Sequence, residues 1–132
     1  MIEFFMPMAK VPTTTHQQKQ ITVKNGKPIF YEPPDLVAAR AKLTAHLGPN
    51  TPEKKFTGPV RLIAKWCFPL SGKHKDGEWK ATKPDVDNLQ KLLLDCCTDL
   101  GFWSDDKLIV SMVVEKFYSK LPGIYIKIME VD

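Results

Sequence analysis

The sequence predicts a single α+β domain in which two main helices pack on a small mixed β-sheet. Three observations support this. A length of 132 residues allows one compact core and is too short for two ordinary domains, so residues 1–132 are read as one unit. A hydrophobic share of 43% beside 26% charged residues is that of a soluble globular chain, and no apolar run approaches the roughly 18 residues of a membrane helix. Finally, runs of strand and helix period follow one another in the order strand, hairpin, helix, strand, helix, strand, strand.

Residues 2–6 read as a short strand stopped by Pro7, and residues 9–20 as a polar loop with little to bury. Ile21-Thr22-Val23 and Pro28-Ile29-Phe30-Tyr31 flank Asn25-Gly26, the signature of a hairpin turn. Pro33-Pro34-Asp35 starts a helix that runs to about Leu47, with Leu36, Ala39, Leu43 and Leu47 on one face and Gly48-Pro49 ending it. A strand from Val60 to Phe68 sets Val60, Leu62, Ala64, Trp66 and Phe68 on one side. Residues 70–83 are a Gly- and Lys-rich loop, read as free to move without a ligand. The second helix is the best-defined element, with Asp87 as N-cap, Gln90 as its capping-box partner and Gly101 just past its end. Leu89, Leu92, Leu93, Cys96 and Leu100 form its core face, while Lys91, Asp95 and Thr98 lie on the side of Asp87. Two strands, Leu108 to Phe117 and Ile124 to Val131, complete the chain.

Several function classes drop out early. Cys67, Cys96 and Cys97 have neither the number of a disulfide framework nor the spacing of a zinc site, and they read as small buried hydrophobes. His16, His46 and His74 lie far apart and form no metal-ligand pair by spacing. The first residues lack a basic segment ahead of a sustained apolar stretch, so a cytoplasmic location is the expectation. No membrane partner and no organic cofactor are expected. The net charge of +4 is modest, but Lys73, His74, Lys75, Lys80 and Lys83 crowd one segment, and Lys10, Lys19, Lys24 and Lys27 another. Such clusters suit a polyanion through counterion release; solvated lysine-bearing loops give the same pattern.

The chemistry concentrates in Lys83-Pro84-Asp85-Val86-Asp87-Asn88-Leu89-Gln90-Lys91 and in Gly101-Phe102-Trp103-Ser104-Asp105-Asp106. Two carboxylates two residues apart inside one helix would point to different sides. Asp85 and Asp87 are therefore expected in the extended or turning segment ahead of the helix, where Pro84 disfavours a helical residue before it. Lys91 lies one helical turn beyond Asp87, within reach of the same space. Asp106 arrives at the start of the next strand. Hard carboxylate oxygens suit Mg²⁺ and a lysine suits phosphate. Each residue also has a plainer reading: Asp87 as a cap, Asp87 and Lys91 as an exposed ion pair, Asp105-Asp106 as a polar turn.

These residues resemble the RusA-type Holliday-junction resolvases, small dimeric endonucleases often encoded by phages and prophages. The matching text is Asp85-Val86-Asp87-Asn88-Leu89-Gln90-Lys91, then Asp95, then Gly101-Phe102-Trp103-Ser104-Asp105-Asp106. The resemblance is strong over residues 83–131 and extends in element order to the remainder, where Val11-Pro12-Thr13 follows the first strand. It implies a RusA-like dimeric α+β fold and paired symmetric nicks in four-way DNA junctions during recombination and repair. It also implies Asp85, Asp87 and Asp106 as catalytic ligands of Mg²⁺, with Mn²⁺ as a substitute, and Lys91 as the lysine at the scissile phosphate. Asp105 is the adjacent, secondary carboxylate. Lys10, His16, Lys19, Lys73, Lys75, Lys80 and Lys83 are the expected phosphate contacts. Family members often carry Arg directly before the first Asp, whereas here Lys83-Pro84 stands there, leaving Lys83 or Lys80 as the substitute charge.

Two other readings compete. Pro84-Asp85 with Asp105-Asp106-Lys107 has the form of the PD-(D/E)xK nuclease signature, which would make Lys107 the catalytic lysine. A non-catalytic DNA-binding phage protein would need only the basic loops. Trp66 and Trp103 read as core, Trp79 as an aromatic in a basic loop that stacks on a base or a partner, and Leu94 as a candidate dimer contact.

Overall fold

The computed structural model describes residues 1–14 and 20–132. Its elements are β1 (Ile2–Pro7), β2 (Gln20–Lys24), β3 (Lys27–Tyr31), α1 (Pro34–Leu47), β4 (Val60–Pro69), α2 (Val86–Leu100), β5 (Ile109–Ser119) and β6 (Gly123–Glu130). Short 3₁₀ turns follow α1 at Gly48–Asn50 and precede β5 at Asp106–Leu108. The α+β prediction holds.

The main sheet has the order β1-β6-β4-β5. β6 pairs antiparallel with both β1 and β4, while β4 and β5 run parallel, so the sheet is mixed. A parallel pair needs a crossover, and α2 supplies it. Alternation on β4 buries Val60, Leu62, Ala64, Trp66 and Phe68, and β6 adds Ile124, Ile126 and Ile128 to the same face. Against this face pack Leu36, Leu43 and Leu47 of α1 and Leu89, Leu92, Leu93 and Cys96 of α2. All three cysteines are free and buried, as expected, and burial pushes the Cys97 thiol pKa far up.

β2 and β3 form the predicted hairpin, with Asn25 and Gly26 at φ of 53° and 74°, the pair of positive values a tight two-residue turn requires. At the end of α2, Gly101 has φ of 90°; its N–H donates to the Thr98 carbonyl and that of Phe102 to the Cys97 carbonyl. This paired closure satisfies the last carbonyls and turns Phe102 and Trp103 fully into the core. Trp103 Nε1–H then donates to Thr98 Oγ1 at 2.8 Å.

Three expectations are corrected. The N-cap of α2 is Asp85, not Asp87; Asp87 lies inside the first turn. Gln90 does not cap: it is buried, and its Oε1 accepts a 3.3 Å bond from Trp66 Nε1–H, because the face it occupies meets β4. Leu94 is half-buried and packs against the core rather than standing on a polar face. The 70–83 loop is also tied down in part. Gly77 N–H donates to the Tyr118 carbonyl, Tyr118 N–H to the Glu78 carbonyl, and Lys80 N–H to the Lys116 carbonyl, so residues 77–80 lie along the last part of β5.

Gly123 opens β6 where β1 crosses closest. A Cβ there would stand 2.4 Å from the Met6 carbonyl oxygen and 2.6 Å from Phe5 Cζ. Backbone cannot yield as a flexible side chain does, so Gly123→Ala is expected to destabilise the domain by about 1–3 kcal/mol or more; urea unfolding of the two proteins measures the difference.

Candidate active site

Pro84 is buried, and the carbonyl groups of Thr82 and Pro84 both accept from Lys116 Nζ, the latter at 2.7 Å. Lys116 of β5 therefore fixes the segment that enters α2. Beyond it Asp85 keeps an extended backbone, φ −72° and ψ 144°, while its carbonyl accepts the first helical bond from Leu89 N–H. Val86 starts the helix and Asp87 projects from its first turn. Both carboxylates are exposed, and the Asp85 side chain makes no capping bond. The partial positive charge of the helix N-terminus favours anions in this space. Lys91 is exposed one turn further on. Among the described residues no side-chain hydrogen bond or ion pair holds Asp85, Asp87 or Lys91, which leaves all three for a ligand.

Asp105 and Asp106 stand at the other end of the crossover. Asp105 caps the 3₁₀ turn before β5 by accepting Lys107 N–H at 2.8 Å, and that bond lowers its carboxyl pKa. Asp106 moves the opposite way. Partial desolvation raises its pKa first, followed by the hydrogen bond with Asp105 and by repulsion from Asp105 and Asp95. Two neighbouring carboxyls thus have opposite proton affinities.

Asp95 sits two turns along α2 from Asp87, and it is Asp95, after Asp105, whose charge Asp106 feels. No group of three His, Cys, Asp or Glu side chains gathers closely enough to hold a metal ion among the described residues. The donor chemistry still fits Mg²⁺, which keeps several waters and is commonly bound by one or two carboxylates together with substrate phosphates.

Among the described residues, two buried atoms near this helix start, Asn88 Oδ1 and Gln90 Nε2, have no hydrogen-bond partner. The Trp66–Gln90 bond, the Lys116 clamp and Arg40 were all missed by sequence reasoning. Arg40 of α1 grips Glu32 at 2.6 Å and lies 4.0 Å from Asp99, fastening the hairpin exit and α1 to α2. A lysine or glutamine in an alternating pattern carries no sign of what it will meet across the fold.

The basic residues divide. Lys73, Lys75 and Lys83 are exposed. Lys80 is half-buried, its ammonium 5.2 Å from the Phe68 ring centroid and 5.1 Å from that of Tyr118, and it donates to Thr82 Oγ1. Lys10 is exposed beside an open cleft of 340 Å³ that Thr13, Thr14, Asp35 and Lys42 also line. His16 and Lys19 lie outside the described residues. Trp66 and Trp103 are core residues, whereas Trp79 is 65% exposed and meets Phe117 edge-on.

The family model described as Endodeoxyribonuclease RusA matches residues 7–129. The crossover junction endodeoxyribonuclease rusA of Lactococcus phage r1t is 35% identical over 131 residues, covering 98% of each chain. An uncharacterized protein, YqaN of Bacillus subtilis (strain 168), is 31% identical over 122 residues, 84% of this chain and 85% of its own. With a match that spans nearly all of the sequence, the chain belongs to the RusA endodeoxyribonuclease family.

Proposed function

We propose that the protein is a Mg²⁺-dependent endonuclease that resolves four-way DNA junctions by paired nicks, acting as a homodimer in the cytoplasm of a bacterial host. The observation that carries this reading is the pair of uncommitted carboxylates, Asp85 and Asp87, presented with the uncommitted Lys91 at one helix start in a member of a DNA-cleaving family. Among the described residues no helix is long and apolar enough to cross a membrane.

In this reading Asp85 and Asp87 hold the metal ion, or Mn²⁺ in its place, and Asp106, which stands at the other end of α2 within one chain, completes the ligand set in the homodimer. When bound, the ion supplies Lewis acidity toward the phosphate and lowers the pKa of a water. Lys91 stabilises negative charge gathering on the scissile phosphate, and the α2 N-terminus adds its partial charge from the same side. Lys116 keeps Asp85 and Asp87 at a fixed distance from the sheet through the carbonyls of Thr82 and Pro84. Lys10, Lys73, Lys75 and Lys83, with His16 and Lys19, orient the DNA arms through phosphate contacts. Lys80 has a second task, bracing the loop against two rings. The PD-(D/E)xK alternative is disfavoured because Asp85 stands at the start of a helix and Asp105 to Lys107 form a 3₁₀ turn, whereas that signature occupies neighbouring strands.

Asp87→Asn, which removes an anionic ligand and little volume, should abolish magnesium-dependent nicking of a synthetic four-way junction while gel-shift binding persists; continued cleavage by the variant refutes the assignment. Lys91→Ala should lower the cleavage rate by about 10²-fold or more, and Lys107→Ala should leave most of it, which separates the two lysine assignments. Asp105→Asn removes a like charge that raises the Asp106 pKa. Asp106 should therefore titrate at lower pH in the variant, measured by carbon-13 NMR of its carboxyl. The sign for activity follows: the ionised form is the ligand, so the acid limb of the rate profile should also move to lower pH.

A further inference from the structure

Of the three indoles, two are spent on the core. Trp66 and Trp103 are 1% and 0% exposed, with their N–H groups bonded to Gln90 and Thr98. Trp79 is 65% exposed, yet it is held in place. The backbone on either side of it is bonded to β5: Tyr118 N–H donates to the Glu78 carbonyl, and Lys80 N–H to the Lys116 carbonyl. Trp79 itself stands opposite Phe117 in an antiparallel bridge. Side chains alternate along such an extended segment. Lys80 turns to one side, over the rings of Phe68 and Tyr118, and Trp79 turns to the other, with Phe117. The Trp79 and Phe117 ring planes are at 90° with centroids 6.3 Å apart. In that geometry Phe117 covers at most one face of the indole, and an open face remains.

The charges around that ring indicate what it meets. The acidic side chains of the loop are engaged within the protein: Asp76 Oδ1 accepts Lys120 N–H at 2.8 Å, and Glu78 pairs with His74, whose ring stacks on that of Tyr118 at 4.0 Å. Lys73, Lys75 and Lys83 are exposed, and among the described residues no hydrogen bond or ion pair holds them. What the loop offers a partner is an aromatic face beside uncommitted ammonium groups. Those are the two features with which proteins bind exposed bases: cations track the phosphates and rings stack on the bases.

The same loop ties the indole to the carboxylates. From Lys80 the chain runs to Thr82, whose hydroxyl accepts from Lys80 Nζ and whose carbonyl accepts from Lys116 Nζ, and then to Pro84, held by the same Lys116, and Asp85. Trp79 precedes Asp85 by six positions. That is a span of at most about 20 Å, or roughly six base steps at about 3.4 Å each. Inside a duplex both faces of every base are covered by its neighbours. At a point of strand exchange the stack is interrupted and a face is uncovered, so a fixed indole distinguishes a branch from continuous duplex where lysines do not. We propose that Trp79 stacks on a base face uncovered at the branch point, selecting branched over linear DNA and setting which phosphate comes to Asp85 and Asp87. The proposal rests on the nuclease reading above and adds a specificity contact to it.

Binding measured without divalent ions, so that nothing is cut, tests it. Trp79→Ala should weaken binding of a synthetic four-way junction by about tenfold or more, the loss of one base stack, and leave binding of linear duplex within about twofold. Trp79→Phe should restore most of the junction affinity. Leu121→Ala, which removes an apolar side chain of similar exposure, 63%, should change neither. Because Trp66 and Trp103 are buried, acrylamide reaches Trp79 selectively; the junction should shield its fluorescence from quenching, and a duplex of the same length should not. Unchanged junction affinity in Trp79→Ala, an equal loss on junction and duplex, or a matching loss in Leu121→Ala overturns the stacking contact and leaves the nuclease reading standing. So does a Trp79→Ala protein altered only in oligomeric state, since the indole is then a protein contact. A parent that neither prefers the junction to duplex nor nicks it with Mg²⁺ overturns both.

Discussion

The parallel pairing of β4 with β5 is the constraint on which the rest of the structure depends. Two parallel neighbours cannot be joined by a hairpin, so the chain must leave the end of β4, return along the sheet and enter β5 from the start. α2 makes that return. Its fifteen residues span about 22 Å at 1.5 Å per residue. The carboxylates at its entrance and the pair beyond its exit are thereby held at opposite ends of one rigid rod. Loop geometry alone would fix neither end. The buried face of α2 locks the rod to the sheet, while Gly101 and Lys116 set where the chain enters and leaves it.

Polar groups inside this arrangement come at some cost in burial, and the structure meets it unevenly. Trp66 is satisfied by Gln90, and Trp103 by Thr98, so two large indoles lie in the core with their N–H groups bonded. Gln90 Nε2 and Asn88 Oδ1 are left over. Unpaired buried amide atoms cost about 1–3 kcal/mol each. Both belong to the part of α2 that directly follows the acidic pair, so the least settled part of the interior is beneath the residues proposed to do the chemistry.

Much of this was legible in the sequence. Period-two alternation in 60–68 named the buried face of β4 residue by residue, Asn25-Gly26 named the hairpin, and Gly101 named the end of α2. Asp85, Asp87, Lys91 and Asp106 stood out because two close carboxylates, a lysine one helical turn beyond them and a further carboxylate after the helix are the donor types that suit Mg²⁺ and phosphate. The helix start was misjudged by two residues for a physical reason. Asp at either 85 or 87 is a good cap, and the choice went to the position whose chain is already extended by Pro84 and gripped by Lys116, a residue thirty-one positions away from Asp85. Gln90 likewise had two credible partners, a local backbone N–H and a distant indole. Only the packing of α2 on β4 decides between them.

The short latch of residues 77–80 on the end of β5 has a consequence for assembly size. A fully bare eleven-residue edge is indiscriminate: it accepts strands in many registers, and chains can add in staggered succession. By occupying the last part of that edge with its own backbone, the protein leaves a shorter segment free. The latch thus shortens the stretch of β5 left with unpaired backbone groups, and with it the surface open to strands adding in succession.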